Sequence, residues 1–552
     1  MLGTDVAPKY MYPVSSKKHK DSHTSLNLIE ARLQAQLDRR KVKGSFRQLL
    51  PPSSSSSNAN DDHDITALLN VDAKRRVCDF SSNDYLGLAR CQHQEFLVGQ
   101  EFQRMQTAIT DASADDGNII PMPRLGATGS RLLSGDSWYA RQLEQSLAYF
   151  HNRPCGILFN SGYDANLSVL SSIPLSSDFV LLDDLVHNSI IMGLRMGRCQ
   201  QIFYFQHNSI TDLERILCHI DSVLTNNKVD NKYATKPHVF VVVESVYSMD
   251  GDISPLVEIA SVLERFPDSS LIVDEAHGLG VYGRTNVAVM MLLPDTPDLV
   301  AACDPPPNRE DDDDGGCSDS ANTCGWDATN RFPHHQQLYY TGGGTGVLAA
   351  LGLEQHPSLL CSVHTFGKGA GCHGAFVAAS RTVAEYLVNY ARPWIYSTSL
   401  PPHSLASIRC AYESMTSIGT GDVRRKRLFR NVHLFRSLFR RRCNKASHWT
   451  TANVTTKPPF LLLPSPSPIQ CILIPGNSQC INIARQLQKK GFDVYPIRSP
   501  TVPEGKERIR IILHAHNTTD EVVAFVNNLV LQLVGPCMES SILPDHHLMS
   551  KL

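Results

Sequence analysis

Apolar and polar residues follow two patterns along most of this 552-residue chain, and these patterns predict its secondary structure. Short apolar runs with the length of β-strands occur at residues 154–159, 179–182, 201–205, 238–243, 270–273 and 373–378. Unbroken apolar runs of this kind are typical of strands that are buried on both faces. Because stretches with helical spacing alternate with these runs, the pattern predicts a mainly parallel sheet covered by helices on both faces.

The pattern changes towards both ends of the chain. Leucine and isoleucine recur at helical spacing from residue 25 to about residue 50, which predicts an amphipathic arm that stops at Pro51. After residue 400 a basic helical stretch (424–442) precedes the strands 470–474, 493–495 and 508–513 and the helices 482–490 and 519–531. This order predicts a second, smaller α+β domain.

These shifts predict the following domain organisation. The predicted regions are a disordered N-terminus (1–24), a helical arm with a polar linker (25–75), a large domain (76–400), a small domain (401–537) and a tail (538–552). An acidic, proline-rich insertion at about 285–342 interrupts the large domain. The insertion holds Cys317, Cys324, His334 and His335, but their spacing matches no common zinc pattern, so no metal site is predicted.

Composition narrows the possible partners. Net charge is −2 with both signs interspersed, which argues against nucleic acid or an anionic membrane as a partner. No apolar run is long enough to cross a bilayer. The 15 cysteines include no CxxC pair, which predicts reduced thiols in a reducing compartment.

The chain ends in Ser550-Lys551-Leu552, the form of a peroxisomal address read by an import receptor. The sequence therefore predicts a peroxisomal protein. If the tripeptide is not read, the expected location is the cytoplasm.

Two residues occupy positions that suit the binding of a cofactor or substrate. Lys368 lies between glycines in the segment HTFGKGAG, where a lysine can form a Schiff base if its pKa is lowered. Asp274 directly follows the strand 270–273, and ligands of open α/β sheets bind outside the carboxyl ends of strands. Taken alone, Lys368 also fits a solvated loop residue and Asp274 a helix cap.

Further candidates surround these two. The segment Ser161-Gly162-Tyr163 joins a strand to a helix, whose N-terminus can bind an anion, and Thr365 could add a hydroxyl. His187 follows another predicted strand. Arg508 and Arg510 lie two apart in a predicted strand and should share a face, so that one or both could grip a carboxylate. Together these groups are what pyridoxal phosphate requires, with the carboxylate pairing with the pyridinium nitrogen.

The order of nine motifs makes this interpretation specific. They are NDYLGL, GSRLLSG, FNSGYDAN, DDLVHNSI, ESVYSMDGD, VDEAHG, HTFGKG, YSTSLPP and SPTVPEGKERIRI. In this order they resemble the α-oxoamine synthase family of pyridoxal-phosphate enzymes, from about residue 25 to residue 531. The resemblance implies the PLP-dependent transferase type I fold, an α/β architecture with a large, mainly parallel seven-stranded sheet.

The resemblance also implies roles for individual residues. Lys368, His187 and Asp274 would be catalytic, and His187 would stack on the cofactor ring. His277 would pair with the hydroxyl group of that ring. The remaining implied cofactor-binding residues are Ser161, Gly162, Tyr163, Ser248 and Thr365, with Ser397 and Thr398 from the neighbouring subunit of a homodimer. The implied substrate-binding residues are Arg47, Asn83, Thr501 and Arg510.

Within the family, the motifs are most similar to the branch that condenses L-alanine with a pimeloyl thioester, such as pimeloyl-CoA, in biotin synthesis. Two alternatives stay open at this point. The chain could join glycine or serine to a different acyl-CoA, or it could be a non-catalytic subunit of a complex like serine palmitoyltransferase.

Overall fold

The computed structural model describes residues 25–42, 77–115, 125–226, 236–283, 343–449, 460–499 and 501–534. The chain divides into two compact units, residues 1–75 with 499–503 and residues 76–498 with 504–552. In the first unit, helix α1 (Ser25–Val42) confirms the helical part of the predicted arm. The rest of that arm, including Arg47, lies outside the described residues.

Helices and strands alternate along the second unit, as the pattern predicts. Its described helices are α2 (Gln92–Asp115), α3 (Trp138–Phe150), α4 (Gly162–Ser172), α5 (Asn188–Met196), α6 (Ile210–Asn226), α7 (Leu256–Leu263), α8 (Val347–Leu351), α9 (Arg381–Tyr390), α10 (Arg392–Tyr396), α11 (Pro402–Thr416), α12 (Val423–Trp449), α13 (Asn477–Lys489) and α14 (Thr519–Val534). Its described strands are β1 (Cys78–Asp79), β2 (Cys155–Phe159), β3 (Phe179–Asp183), β4 (Gln201–Phe205), β5 (Val239–Glu244), β6 (Ser269–Asp274), β7 (Leu359–Thr365), β8 (Ala375–Ala379), β9 (Leu461–Leu462), β10 (Ile469–Leu473), β11 (Phe492–Asp493), β12 (Tyr495–Ile497) and β13 (Arg508–Ile512).

The large sheet has seven strands in the order β2-β8-β7-β6-β5-β3-β4. Strands β7, β6, β5, β3 and β4 pair in parallel, whereas β8 runs antiparallel to both β2 and β7. The predicted mainly parallel seven-stranded sheet is therefore confirmed. The apolar pattern gave no bounds for β7, because Ser362, His364 and Thr365 interrupt its apolar residues.

Both faces of this sheet are buried. In β5, Val239, Val241 and Val243 pack into one hydrophobic cluster, and Phe240 and Val242 pack into another. Helices α6 and α7 contribute to the first cluster, and α4 and α5 contribute to the second. The period of two along the strand thus seats helices on both sides, which leaves the strand ends as the open edge.

A second sheet lies in the C-terminal part of the chain, with the antiparallel order β12-β13-β10-β9. The prediction of a single strand at residues 493–495 is wrong, because the chain changes partners there. Strand β11 pairs in parallel with β1, and β12 pairs with β13. The domain boundary at residue 401 stays a prediction, since the second compact unit contains both sheets.

The predicted insertion, with its cysteines and histidines, lies outside the described residues, but its two ends are described. Backbone hydrogen bonds join them, from Gly280 N to Gly344 O and from Gly346 N to Tyr282 O, each at 2.8 Å. A Cβ placed on Gly283 would lie only 2.3 Å from Gly344 N. The chain therefore leaves and returns at the same point of the fold.

Two further expectations concern the described residues. Every cysteine that the structure describes carries a free thiol. Among the same residues, no helix has both the length and the apolar character that a bilayer crossing requires.

Candidate active site

The parallel strands of the large sheet end at one edge, and polar residues stand at those ends. Strand β3 ends at Asp183, β5 at Glu244, β6 at Asp274 and β7 at Thr365. Lys368 follows β7 by three residues. The requirements of pyridoxal phosphate predict that Asp274 and Lys368 meet, and the structure brings them within electrostatic reach of each other.

The Lys368 amine lies at the centre of this edge. Its Nζ is 2.8 Å from Nε2 of His277, which is 3% exposed. Burial lowers the pKa of Lys368, while the carboxylates of Asp274 and Glu244 oppose that shift and Arg510 adds to it. A lowered pKa makes the unprotonated amine more accessible, and that form is the nucleophile and the base.

Asp274 is positioned by two hydrogen bonds. The Asn166 side-chain amide donates to its Oδ2 at 2.6 Å, and the backbone N–H of Ala276 donates to its Oδ1 at 2.9 Å. The residue is 4% exposed. Donors on both oxygens fix the orientation of this carboxyl group, which would face the ring nitrogen of a bound pyridoxal phosphate.

Glu244 is a second carboxyl group beside Asp274. The two residues are register partners on the parallel strands β5 and β6, so their side chains share a face of the sheet. Burial raises the pKa of Glu244 well above its usual range, Asp274 raises it further and Lys368 opposes the change. Ser248 N donates to Oε2 at 3.3 Å, whereas Oε1 has no hydrogen-bond partner among the described residues.

The start of helix α4 forms a close contact with the end of β7. Ser161 caps the helix, because its Oγ accepts from Asp164 N at 3.1 Å. A Cβ on Gly162 would lie 2.0 Å from Oγ1 of Thr365, so only glycine fits there. Ser161, Gly162 and Thr365 thus lie around one helix N-terminus, which is suited to a phosphate group.

His187 occupies the next strand end. It caps α5, and its Nδ1 lies 2.8 Å from Ser189 Oγ. Loss of hydration lowers the pKa of its ring, Asp274 raises it and Lys368 lowers it, so the three groups are within electrostatic reach. The ring of Tyr163 stands edge-on to His187, with centroids 6.4 Å apart.

The two arginines of β13 have different partners. Arg508 forms an ion pair with Asp250 and donates to the Lys506 carbonyl. Arg510 donates from Nε to the Ser248 carbonyl at 2.8 Å and from Nη2 to Asn83 Oδ1 at 3.1 Å. Since Arg510 donates here to neutral oxygens, whereas Arg508 is paired with a carboxylate, Arg510 is the better receptor for a carboxylate ligand.

Three further residues predicted to bind cofactor or substrate are Ser397, Thr398 and Thr501. Ser397 and Thr398 line a cleft with Asn160 and Asp164, and Asn160 Nδ2 donates to the Thr398 carbonyl at 2.8 Å. They therefore lie beside the start of α4 in the same chain. Thr501 is an exposed turn residue of the first compact unit.

A trio outside this edge offers three potential metal ligands within 4.8 Å of one another, namely Asp79, His514 and His516. The Asp79 carboxylate already accepts from Arg90 at 2.5 Å and from Ser82 Oγ at 2.6 Å. With a guanidinium on its carboxylate, this trio is poorly suited to a cation.

The residues present at the edge fit pyridoxal phosphate. A partly buried amine, a carboxylate held by two donors and a helix N-terminus opposite Thr365 supply its three anchors. The imidazoles of His187 and His277 lie near the same amine.

Comparison with known proteins agrees with this geometry. Residues 75–303 and 334–529 match the family described as aminotransferase class I and II. The chain belongs to the aminotransferase class I and II family. One family relative, from Emericella nidulans, is named 8-amino-7-oxononanoate synthase; it is 32% identical, over 82% of this chain and 89% of that protein. A relative of the same name from Marinobacter nauticus is 31% identical, over 81% of this chain and 85% of the other.

Solved structures share the fold of this family member. Serine palmitoyltransferase from S. paucimobilis is 21% identical, with a TM-score of 0.61 over 92% of this chain and 98% of that one. The 8-amino-7-oxononanoate synthase of Francisella tularensis is 22% identical, with a TM-score of 0.52 over 82% and 96%. The predicted type I fold, the enzyme class and the use of pyridoxal phosphate are thereby confirmed.

Three residues that touch the site were not singled out from the sequence. Tyr85, Asn166 and Glu244 lie within the motifs NDYLGL, FNSGYDAN and ESVYSMDGD. Each follows or precedes a predicted site residue by one to five positions in a motif, which is the signal that could have found it. Their contacts join residues far apart in sequence, which single-chain patterns do not report.

Proposed function

We propose that this family member condenses L-alanine with pimeloyl-CoA, or another pimeloyl thioester, to give 8-amino-7-oxononanoate, CO2 and the free thiol. The observation that carries the proposal is the Lys368 amine beside Asp274 and His277, with Arg510 and Asn83 on the same side. Two relatives at 31–32% identity bear the name of this activity.

Each residue has a task that its environment supports. Arg510 binds the amino-acid carboxylate, because its guanidinium is otherwise held by neutral oxygens. Asp274 would pair with the positively charged ring nitrogen of the bound cofactor, and the imidazole of His187 would stack on the cofactor ring. Lys368, with its lowered pKa, takes the proton from the α-carbon and returns one later.

Bound pyridoxal phosphate supplies an electron sink for the negative charge left at the α-carbon. The protein residues then hold the carbon in place for attack on the thioester. Asp274 would hold the ring nitrogen and the α4 N-terminus would hold the phosphate, so that positioning supplies much of the rate.

The test is product analysis with the purified, cofactor-loaded protein. L-Alanine, glycine and L-serine are supplied separately with acyl-CoA donors of graded length, and products are identified by mass. The proposal expects turnover with L-alanine and pimeloyl-CoA. Turnover with glycine or serine alone would favour the alternative acyl transfer, and no turnover with any pair would favour a non-catalytic subunit.

We also propose a homodimer in which Ser397 and Thr398 serve the partner's phosphate site. Leu133, Trp138 and Tyr396 are 79–80% exposed, which is unusual for large apolar side chains and supports a covered face. A Lys368→Ala chain mixed with a Thr398→Ala chain should regain up to roughly a quarter of the wild-type activity if sites are shared. No gain on mixing would contradict the shared site.

The Ser-Lys-Leu terminus supports delivery to the peroxisome by an import receptor. An N-terminally tagged chain should collect in peroxisomes, and a chain without the last three residues should stay in the cytoplasm. A tagged full-length chain that stays diffuse would contradict this location.

A further inference from the structure

Tyr85 is a buried phenol that the proposed function leaves without a task. It is 0% exposed, and its hydroxyl oxygen lies 2.5 Å from Nδ1 of His277. Nε2 of the same imidazole lies 2.8 Å from Lys368 Nζ. The phenol therefore contacts the lysine through a single ring.

The hydrogen bonds continue on the other side of the phenol. The Tyr85 hydroxyl can donate to Asn83 Oδ1 at 3.3 Å, and that oxygen also accepts from Arg510 Nη2 at 3.1 Å. One connected chain of side chains thus runs from the amine to the arginine that we assign to the carboxylate of the substrate.

Both rings in this chain are uncharged. Burial lowers the pKa of His277 well below its usual range, and the charges of Lys368 and Arg510 lower it further. Burial raises the pKa of Tyr85, although Arg510 opposes that shift. A neutral imidazole has one N–H and one acceptor nitrogen, and a phenol has one O–H.

Counting donors gives two arrangements, one for each state of the lysine. An ammonium on Lys368 has only donors, so Nε2 must accept, Nδ1–H donates to Tyr85, and Tyr85 donates to Asn83. A free amine can accept, so Tyr85 donates to Nδ1 and Nε2–H donates to Nζ. The proton on His277 therefore changes nitrogen when the lysine changes charge.

We propose that Tyr85 is a positioning residue that stabilises the Nδ1–H tautomer of His277, which a charged Lys368 requires, and that it thereby favours the proton on Lys368. The two states differ by one proton. From amine to ammonium, the Nε2 proton passes to Nζ, the Tyr85 proton passes to Nδ1, and the phenol oxygen takes up one proton from solvent.

The chain also links the two substrate-handling groups. A carboxylate that occupies Arg510 competes with Asn83 for Nη2, which leaves Asn83 Oδ1 better able to accept from Tyr85. That arrangement belongs to the ammonium state of Lys368. Binding of the amino acid should therefore favour uptake of a proton by the lysine.

Other charged groups face the amine and set its overall titration. They are Asp274, Glu244 and Arg510, with His187 facing His277. Tyr85 differs from all of them because it touches Nδ1, the nitrogen turned away from the lysine. Its removal should therefore change the relative stability of the two tautomers without removing a charge.

The test is nitrogen NMR of the full-length chain labelled with ¹⁵N-histidine, with the His277 signal assigned from a His277→Gln spectrum. In the wild type the proton should move from Nδ1 to Nε2 as Lys368 loses its charge. Tyr85→Phe should keep the direction of this exchange but lower the midpoint of Lys368 by about one pH unit, because the ammonium state then leaves a buried Nδ1–H unpaired, which is costlier than an unpaired lone pair.

Tyr282→Phe is the matched control. Tyr282 is also 0% exposed, but its hydroxyl has no hydrogen-bond partner among the described residues. This variant should keep the wild-type tautomers and midpoint.

The inference rests on the proposed function only for its link to the amino-acid carboxylate, since the NMR test needs neither acyl donor nor turnover. Identical tautomers and midpoints in the wild type and in Tyr85→Phe would overturn it. If Tyr85→Phe does not fold, a wild-type His277 that keeps one tautomer through the whole titration of Lys368 would overturn it equally.

Discussion

Two buried polar clusters lie along strand β7, and they differ in charge. We call them the catalytic cluster, around Lys368, and the packing cluster, around His364. At the end of β7, Lys368 contacts His277 near Asp274 and Glu244. One residue before the end, His364 stacks on His151 at 3.7 Å. The partners of this second pair are hydroxyl groups, with Ser362 Oγ 2.8 Å from His364 Nε2 and Tyr412 OH 2.9 Å from His151 Nε2.

The difference teaches which signal marks a site. Burial lowers the pKa of His277 and of His364 well below the usual range, so a shifted histidine occurs in both clusters. Only the first cluster also holds an amine and two carboxyl groups together, at the carboxyl ends of the parallel strands. Opposite charges at the strand ends, rather than a histidine with a lowered pKa, distinguish the catalytic cluster from the packing cluster.

The largest expected effect separates the clusters by activity. Lys368→Ala should lower kcat at least roughly 10³-fold, because both the covalent anchor and the base are lost. His151→Phe, in the packing cluster, should keep kcat close to wild type once folded. Steady-state assays of both variants with L-alanine check this, and a Lys368→Ala protein with appreciable turnover would remove the basis of the comparison.

The next effect compares Arg510 with Arg508. Arg510→Gln should raise KM for the amino acid about 100-fold, since a charge-assisted hydrogen-bond pair is lost, worth about 2–3 kcal/mol. Arg508→Gln should leave KM unchanged and lower the melting temperature, because Asp250 loses its ion-pair partner. Measured KM and melting temperature for both variants check the contrast. The opposite pattern would assign the carboxylate to Arg508.

The stability contributed by the packing cluster should depend on pH. Burial lowers the pKa of His151 from 6.5 to about 3. Its stabilising contribution is therefore complete above pH 6.5 and is lost as pH falls towards 3, by at most ~1.4 kcal/mol per pH unit. Denaturant unfolding between pH 7 and pH 4 checks this. His151→Phe should give a flatter profile, and equal slopes in both proteins would contradict the buried neutral state.

The smallest expected effect concerns Glu244. Because its pKa is raised in the fold, its contribution is complete below the unfolded value near 4.5 and declines as pH rises. Glu244→Gln copies the uncharged acid, so the variant should lose less stability than the wild type between pH 5 and pH 8. Melting temperatures across that range check it, and a profile that the substitution leaves unchanged would show that folded Glu244 is already ionised at pH 5.

The sequence predicts the fold of this protein well because its signals there are local. Apolar runs located six of the seven strands of the large sheet, and only β7, with three polar residues, lacked bounds. Asp274 and Lys368 could be paired from the sequence, because one pyridoxal phosphate needs both a Schiff-base lysine and a carboxylate for its ring nitrogen.

What the sequence could not predict depends on contacts across the fold. Nothing in the RIR pattern of β13 distinguishes Arg508 from Arg510, and Asp250 decides between them. Tyr85 and His277 are 192 positions apart in the chain, so their hydrogen bond is invisible to periodicity. The partner change that splits β11 from β12 likewise depends on β1, which lies far upstream.

The hydrogen bonds from Gly280 to Gly344 and from Gly346 to Tyr282 join the two segments between which the acidic insertion begins and ends. Since the two segments that flank the insertion are already joined to each other, we expect that the insertion can be shortened, lengthened or replaced by a few residues without moving Asp274 or Lys368. This position is thus a natural place to graft a reporter into the enzyme.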